Sequence, residues 1–327
     1  MINFVTTRSH RYTLRRLIAD LGRSRCRQWS YETLFTRKRL PGGTWIFTDH
    51  ERLSRFELSL AARVAALLEQ GGAVVLNHPA RVRFRHDLLV ALRREGINRF
   101  SAWRCETKPS PERFPVFIRS EFDHDSTSLE LIANQGDLDA AIARMERSGV
   151  PLVGKLVIEY AGDEIDPGVW QRFATYRVGD AVIGHHNVVD FKWVAKDVED
   201  KARLRGHPRY RDFLANERRF VEENLYEDVL RRAFEIAGID YGRADFSIVD
   251  GGPQVYEINT NPKHSSRRAL ERETHPDRRQ TQLHADDLLR RSILATGTPD
   301  RGPISMSDPV LRRQQGLLAR LRGLARP

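Results

Sequence analysis

Lysine is nearly missing from this chain of 327 residues. Seven lysines stand against 47 arginines, and the 54 bases exceed 44 acids to give a net charge of +10. The arginines are scattered among acids rather than gathered in one block. That distribution argues against a nucleic-acid partner, while polyanionic ligands such as nucleotides stay compatible. Cysteine is also scarce. Cys26 and Cys105 are too few for a disulfide framework or a cysteine zinc site, and a reducing, cytoplasmic location is the simple reading. No apolar run reaches the about 18 residues that a membrane span needs. The N-terminal stretch MINFVTTRSHRYTLRRL has no apolar stretch leading to a small-residue cleavage site, so no signal peptide is expected. There is no internal repeat and no Gly-x-Ser-x-Gly motif for a serine nucleophile.

What is present alternates between strand and helix signals. INFVTT (2–7), TWIFTD (44–49) and AVVLN (73–77) read as strands, the last of a buried type. LSRFELSLAARVAALLEQGG reads as a helix with Ser54 and Glu57 as a capping box and Gly71-Gly72 as its stop. RFRHDLLVALRREG (83–96) is a second helix. Residues 1–105 are therefore expected to form an α/β domain with parallel strands. ETKPSPERFP (106–115) is the boundary candidate. Beyond it come a strand VFIRSEF, a helix DLDAAIARMERSG with Asp137 as N-cap and a strand LVGKLVIEYAG. A hairpin FATYRVGDAVIGHH follows, turning at Gly179-Asp180. DFLANERRFVEENLYEDVLRRAFEIAG reads as one long helical segment closed by Gly238. This α+β half is expected to run over 106–295, with a small lobe at about 106–165 and a large lobe at about 166–295. Residues 296–327 read as a basic flexible tail that ends in a short amphipathic helix.

The most informative stretch is YGRADFSIVDGGPQVYEINTNP, Tyr241 to Pro262. It reads as two strands around a turn at Asp250-Gly251-Gly252. Counting outward from that turn, Val249 faces Pro253, Ser247 faces Val255, Asp245 faces Glu257 and Arg243 faces Asn259. These share one face, and Ala244, Phe246, Ile248, Tyr256 and Ile258 take the apolar other. Two acids opposite each other repel and call for a positive partner. Arg243 is one candidate. A divalent cation is the better one, because carboxylates and an amide oxygen are hard ligands that magnesium accepts, together with substrate phosphates.

This segment resembles the metal-binding end of the ATP-grasp superfamily, with its Arg-x-Asp, about a dozen residues, and Glu-x-Asn with a proline nearby. The resemblance extends over roughly residues 45–295. It implies an ATP-grasp fold of mixed α/β and α+β type, in which an N-terminal α/β (pre-ATP-grasp) domain precedes two α+β lobes enclosing ATP. It further implies that Asp245, Glu257 and Asn259 hold two magnesium ions, with manganese as a substitute, and that Arg243 faces the charge developing at an acyl phosphate. FPVFIRSEF is similar to the strand that normally ends on a phosphate-binding lysine, here Arg119. GKLVIEYAG is similar to the hinge strand, which assigns Glu159 and the backbone of Tyr160 and Ala161 to the adenine. Arg177, in the hairpin, is implied to reach the phosphates. The loop that covers them is EFDHDSTS, without glycine, so His124 or the Ser126–Ser128 backbone would serve there. Arg85 stands where the family carries Asp-Lys. NPKHSSRR (261–268) follows the metal strand and offers Lys263, Ser265 and Ser266 to an acceptor substrate.

The implied chemistry is ATP-dependent ligation of a small-molecule or peptide carboxylate to an amine or thiol acceptor, through an acyl phosphate, releasing ADP and phosphate. Two alternatives stay open at this stage. One is an ATP-grasp phosphotransferase or an ATP-binding protein without turnover. The other, of a different class, is a basic binding or scaffold protein. Homo-oligomerisation is open as well.

Overall fold

The computed structural model describes residues 1–122, 130–194 and 200–315. The chain opens with a parallel sheet of β1 (Ile2–Thr6), β2 (Cys26–Ser30), β4 (Thr44–Phe47) and β5 (Val74–Leu76) in the order β2-β1-β4-β5. Alternation along the strands supplies both of its faces. Ile2, Phe4 and Ile46 turn toward α1 (Tyr12–Leu21), while Val5, Trp45 and Phe47 turn toward α3 (Arg55–Gln70). The Ser54–Glu57 capping box starts α3 as the sequence indicates. β5 lies at the sheet edge, so Val74 is exposed and the strand is less buried than its composition suggests. A short helix, α2 (Tyr31–Leu34), follows β2.

α4 (Arg85–Arg94) turns away from that sheet. Its Leu88 and Leu92 pack with Phe234, Ala237 and Val255, and Leu89 packs with Phe100. An antiparallel sheet of β6 (Ala102–Arg104), β7 (Val116–Ser120) and β8 (Lys155–Glu159) follows in the order β6-β8-β7, so it takes strands from both sides of residue 105. α5 (Gln135–Arg147) covers it. Asn134, not Asp137, caps this helix, because its side chain accepts the Asp137 N–H.

The third sheet is built from β10 (Val169–Val178), β11 (Ala181–Asp190), β12 (Tyr241–Val249) and β13 (Gly252–Asn259), in the order β11-β10-β12-β13, with β9 (Glu164–Asp166) pairing to β10. The hairpin does turn at Gly179-Asp180, with Val178 paired to Ala181. After α6 (Lys201–Arg205), the expected long helix is two helices, α7 (Tyr210–Glu222) and α8 (Glu227–Ala237). Asn224 and Tyr226 break it with φ of 47° and 68°. The break is held from outside, since the Asn224 amide accepts the Gly184 N–H and donates to the Val182 carbonyl of β11. Gly238 closes α8 with φ 66°, and a side chain there would strike the Arg81 backbone. α9 (Arg267–Glu271) and α10 (Pro276–Ala295) complete this half.

The parallel sheet and the hairpin β12–β13 are tied by one side chain. Asn77, fully buried at the end of β5, donates to the carbonyls of Phe47 and Tyr241 and accepts the N–H groups of Asp240 and Tyr241. This explains an Asn-x-Pro strand end in mechanical terms: the amide stands in for a strand neighbour. Residues 296–315, expected as part of a flexible tail, return to the first sheet instead. β14 (Ile304–Ser305) pairs with β3 (Arg39–Leu40), and α11 (Pro309–Gln314) follows. Met306 and Leu311 are buried among Tyr31, Trp45 and Leu68. The expected terminal helix beyond residue 315 lies outside the described residues. Among the described residues, no helix is long and apolar enough to cross a membrane.

Two histidines are buried where these units meet. His264 is buried against Tyr176 and shares a hydrogen bond with the Tyr241 hydroxyl. His50 is buried at the end of the parallel sheet. Burial pushes His264 down to about 3 and His50 down to about 4. A depressed folded value means that the unfolded chain binds the extra proton first, so stability falls as pH drops below 6.5. Urea denaturation between pH 6 and 4 is expected to show this decline, and His264→Gln to reduce its slope by about 1.4 kcal/mol per pH unit. An unchanged slope would mean that the folded protein protonates His264. Met306→Ala or Leu311→Ala is expected to destabilise by about 2–5 kcal/mol in the same assay, whereas a frayed tail would give almost no change.

Candidate functional site

The hairpin β12–β13 reaches the expected pairing by another route. Its turn has two residues, Asp250 (φ 48°) and Gly251 (φ 77°), so Val249 pairs with Gly252, Ile248 with Pro253 and Ser247 with Gln254. The expected pairs Val249–Pro253 and Ser247–Val255 are therefore off by one residue. A β-bulge then shifts the register between Asp245 and Phe246. Beyond it, Asp245 faces Glu257 and Arg243 faces Asn259 as anticipated. Tyr256 is the extra residue. It leaves the core face and joins Asp245, Ser247 and Glu257 on the site face, with its hydroxyl donating to the Ala161 carbonyl. Buried Asn98 anchors the bulge by donating to the Val255 carbonyl and accepting the Val255 N–H. Its amide thereby satisfies the open edge of β13.

The two facing acids are neutralised by arginines from three other elements and from β12 itself. Arg243 grips Asp245 through two bonds of 2.9 Å. Arg172 of β10 lies 3.9 Å from the same carboxylate. Glu257 accepts from Arg85 of α4 and lies 3.4 Å from Arg119 of β7. Arg85 also donates to the carbonyls of Ser120 and Glu121 at 2.9 Å, which fixes its fork. Burial pulls the Arg119 guanidinium down to about 10, an effect that Glu257 opposes and Arg85 reinforces, and it is still charged at neutral pH. Burial acts most strongly on Arg243 and against its charge, but Asp245, Tyr176 and Glu257 together outweigh the desolvation and hold it above the ordinary value.

The chemistry of the donor set fits magnesium. Asp245 and Glu257 present carboxylate oxygens on one face, and Asn259 Oδ1 is oriented by the Asn261 N–H at 2.8 Å. Among the described residues there is no group of three or more His, Cys, Asp or Glu able to hold a metal. A cation here would thus rest on two carboxylates and an amide, the sparse set that magnesium completes with water and phosphate oxygens.

A slot lined by Phe117, Ile158, Tyr160, Trp193 and Tyr256 opens beside the acids, between the three-stranded sheet and the five-stranded one. Trp193 packs on Phe117 at 5.2 Å and on Tyr160 at 5.3 Å, so it is both packing and wall. The slot ends on Arg119, Arg172, Asp245 and Glu257. On the far side of those acids lies a polar basin, lined by Arg172, Arg243, Lys263, His264, Ser265 and others.

Strand parity sorts the remaining candidates. Arg119 shares the slot face with Phe117, and Tyr160 and Ala161 line the slot. Glu159 points the other way, where its carboxylate accepts the Ser101 N–H at 2.8 Å and Arg113 at 2.9 Å. The Tyr160 N–H is bound to the Pro115 carbonyl. Arg177 is a correction. Its strand position opposes Gly242, off the face of Asp245, and its guanidinium binds the Gly179 carbonyl and lies 3.7 Å from Asp240. Arg172, five residues earlier on the same strand, shares the face of Asp245 through the Ala174 pairing and lines the slot, and strand parity is the signal that finds it. Lys263 and Ser265 line the basin, but the Ser266 hydroxyl is committed to capping α9. His124 and the Ser126–Ser128 backbone lie outside the described residues.

No family model matches the chain. D-alanine–D-alanine ligases of Mycobacterium sp. strains KMS and JLS are 28% identical to it over 156 residues, 45% of this chain. The chain spans 39% of the length of these curated relatives. Among solved structures, D-alanine–D-alanine ligase from Bacillus anthracis complexed with ATP matches at TM-score 0.47 and 13% identity, over 89% of this chain and 98% of that one. A RimK domain ATP-grasp protein from Sphaerobacter thermophilus matches at 0.47 and 14%, over 88% and 100%. The ATP-grasp ligase PsnB complexed with minimal precursor matches at 0.49 and 13%, over 90% and 98%. By its motif from Arg243 to Pro262 and its sequence likeness to D-alanine–D-alanine ligases, the chain is similar to the ATP-grasp ligases, as a divergent relative.

Proposed function

We propose that the protein is an ATP-dependent ligase that joins a carboxylate to an amine or thiol through an acyl phosphate, releasing ADP and phosphate. The observation that carries this reading is the shared junction of slot and basin. Arg172, Asp245 and Glu257 line both, so a ligand in each would meet at one point. The slot suits a nucleoside, with Phe117, Tyr160 and Trp193 as walls. Arg119, Arg85 and Arg172 then face the phosphates, where a guanidinium fork replaces the ammonium of a lysine. An incoming triphosphate competes for the guanidiniums now on Glu257 and Asp245 and frees carboxylate oxygens. Asp245, Glu257 and Asn259 would hold the magnesium, which when bound neutralises charge between the β- and γ-phosphates.

In the first step, a carboxylate oxygen of the substrate bonds to the γ-phosphorus and the bond to the β-phosphate oxygen breaks, so ADP leaves. In the second, the acceptor attacks the acyl carbon, the carbon–oxygen bond to phosphate breaks, and the acceptor proton is lost to solvent. The protein's part is alignment and charge placement rather than covalent chemistry. Arg243, held against Asp245, sets the positive field at the basin side of the junction. Both cysteines are buried and their thiols are pushed up to about 11 by burial, so neither serves as a nucleophile.

Asp245→Asn or Glu257→Gln is expected to lower magnesium-dependent ADP release by at least about a hundredfold with the folded spectrum retained; wild-type turnover in either variant would remove the metal assignment. Arg172→Ala is expected to weaken magnesium–ATP binding in calorimetry by about tenfold or more. Arg177→Ala, on the opposite sheet face, is expected to leave that affinity unchanged, and the reverse pattern would restore Arg177 to the site.

A further inference from the structure

The basin beyond the acids carries a charge pattern of which the ligase reading uses only Arg172 and Arg243. Six cations line it: Arg16, Arg172, Lys201, Arg243, Lys263 and Arg278. Its four acids are all engaged. Asp245 is held by Arg243, Glu257 by Arg85 and Arg119, Glu273 by Arg278 at 3.6 Å, and Asp286 by Arg290. Arg278 is further committed to buried Glu217 at 3.1 Å. Arg16 on α1, Lys201 at the start of α6 and Lys263 in the loop after β13 have no acid partner among the described residues. Three elements far apart in sequence thus bring unmatched positive charge to one basin. Two of the chain's seven lysines are spent there, and each is exposed, with a hydrated ammonium ready to meet a ligand.

We infer that the substrate held in this basin is a polycarboxylate, in its simplest form a dicarboxylic amino acid, free or at the end of a peptide. One carboxylate reaches the junction at Asp245 and Glu257, and the other groups are gripped by Arg16, Lys201 and Lys263. The inference rests on the ligase reading for what happens at the junction, but the binding claim is independent of turnover. A substrate with a single carboxylate would leave Arg16, Lys201 and Lys263 unpaired in the occupied site. That makes discrimination a matter of charge, and attraction through a cationic cleft also raises the encounter rate at low salt.

The test compares glutamate and a short glutamate-terminated peptide with their amide counterparts, glutamine and the glutamine-terminated peptide. Binding is read by calorimetry in the presence of a non-hydrolysable ATP analogue and magnesium, and ADP release is read in parallel. The expected result is binding of at least one dicarboxylate about tenfold or more tighter than its amide, an advantage that shrinks with added salt. Arg16→Gln with Lys201→Gln, and separately Lys263→Gln, should each cut that preference several-fold while nucleotide affinity holds. The free and peptide arms identify the source of the carboxylates. Dicarboxylate binding that obeys this pattern without any ADP release would overturn the ligase reading and leave this inference standing. ADP release supported equally by amides, equal binding of both, no dicarboxylate binding, or a preference that survives both variants would overturn the inference.

Discussion

Two carboxylates facing each other across neighbouring strands are the constraint around which the rest is arranged. At cross-strand distance, like charges destabilise a sheet, and Asp245 is almost wholly buried. The fold answers with arginines delivered from α4, β7, β10 and β12. Each delivering element belongs to a different part of the chain, so the acids act as the point at which the three-stranded sheet, the five-stranded sheet and α4 converge. Breaking such a buried network by removing one partner leaves charge uncompensated, which is more harmful than never having it. A ligand that is itself polyanionic changes the balance, because it gives the guanidiniums an alternative partner.

The bulge at Tyr256 is the local device that makes the facing pair. A two-residue turn of Asp250 and Gly251 sets a register in which Glu257 would not oppose Asp245. One extra residue corrects it, and Asn98 and Tyr256 hold the correction from either side. Asn77 performs a similar service at the other end of β12, and Asn224 at the helix break. In each case a side-chain amide replaces a missing strand neighbour or helix bond, because it carries N–H donors and a carbonyl acceptor in one planar group much like a peptide.

Much of this architecture was legible in advance. The capping box of α3, the Gly179-Asp180 turn and the parallel N-terminal strands follow from local rules, and these depend on a few adjacent residues. The facing of Asp245 with Glu257 and of Arg243 with Asn259 was also legible, although by a count whose turn and bulge errors cancel. Arg172 was missed because matching residues to a pattern does not trace parity across β10, which puts Arg172 and not Arg177 on the face of Asp245. The segment after residue 295 failed for another reason. Its proline, glycine and charge are those of a linker, yet Met306 and Leu311 find an apolar surface that only the folded first sheet provides.

The sequence by itself determined most of the elements and which residue types stand on the hairpin from Tyr241 to Asn259, since periodicity, caps and turn residues act over short range. Only the tertiary structure decided which arginines answer the acids, where Glu159 and Arg177 point, and that Arg16, Lys201 and Lys263 line one basin. Those outcomes depend on register, on a single inserted residue and on the approach of elements up to a few hundred positions apart. Scattered arginines look alike along a chain, and burial beside a carboxylate is what distinguishes them.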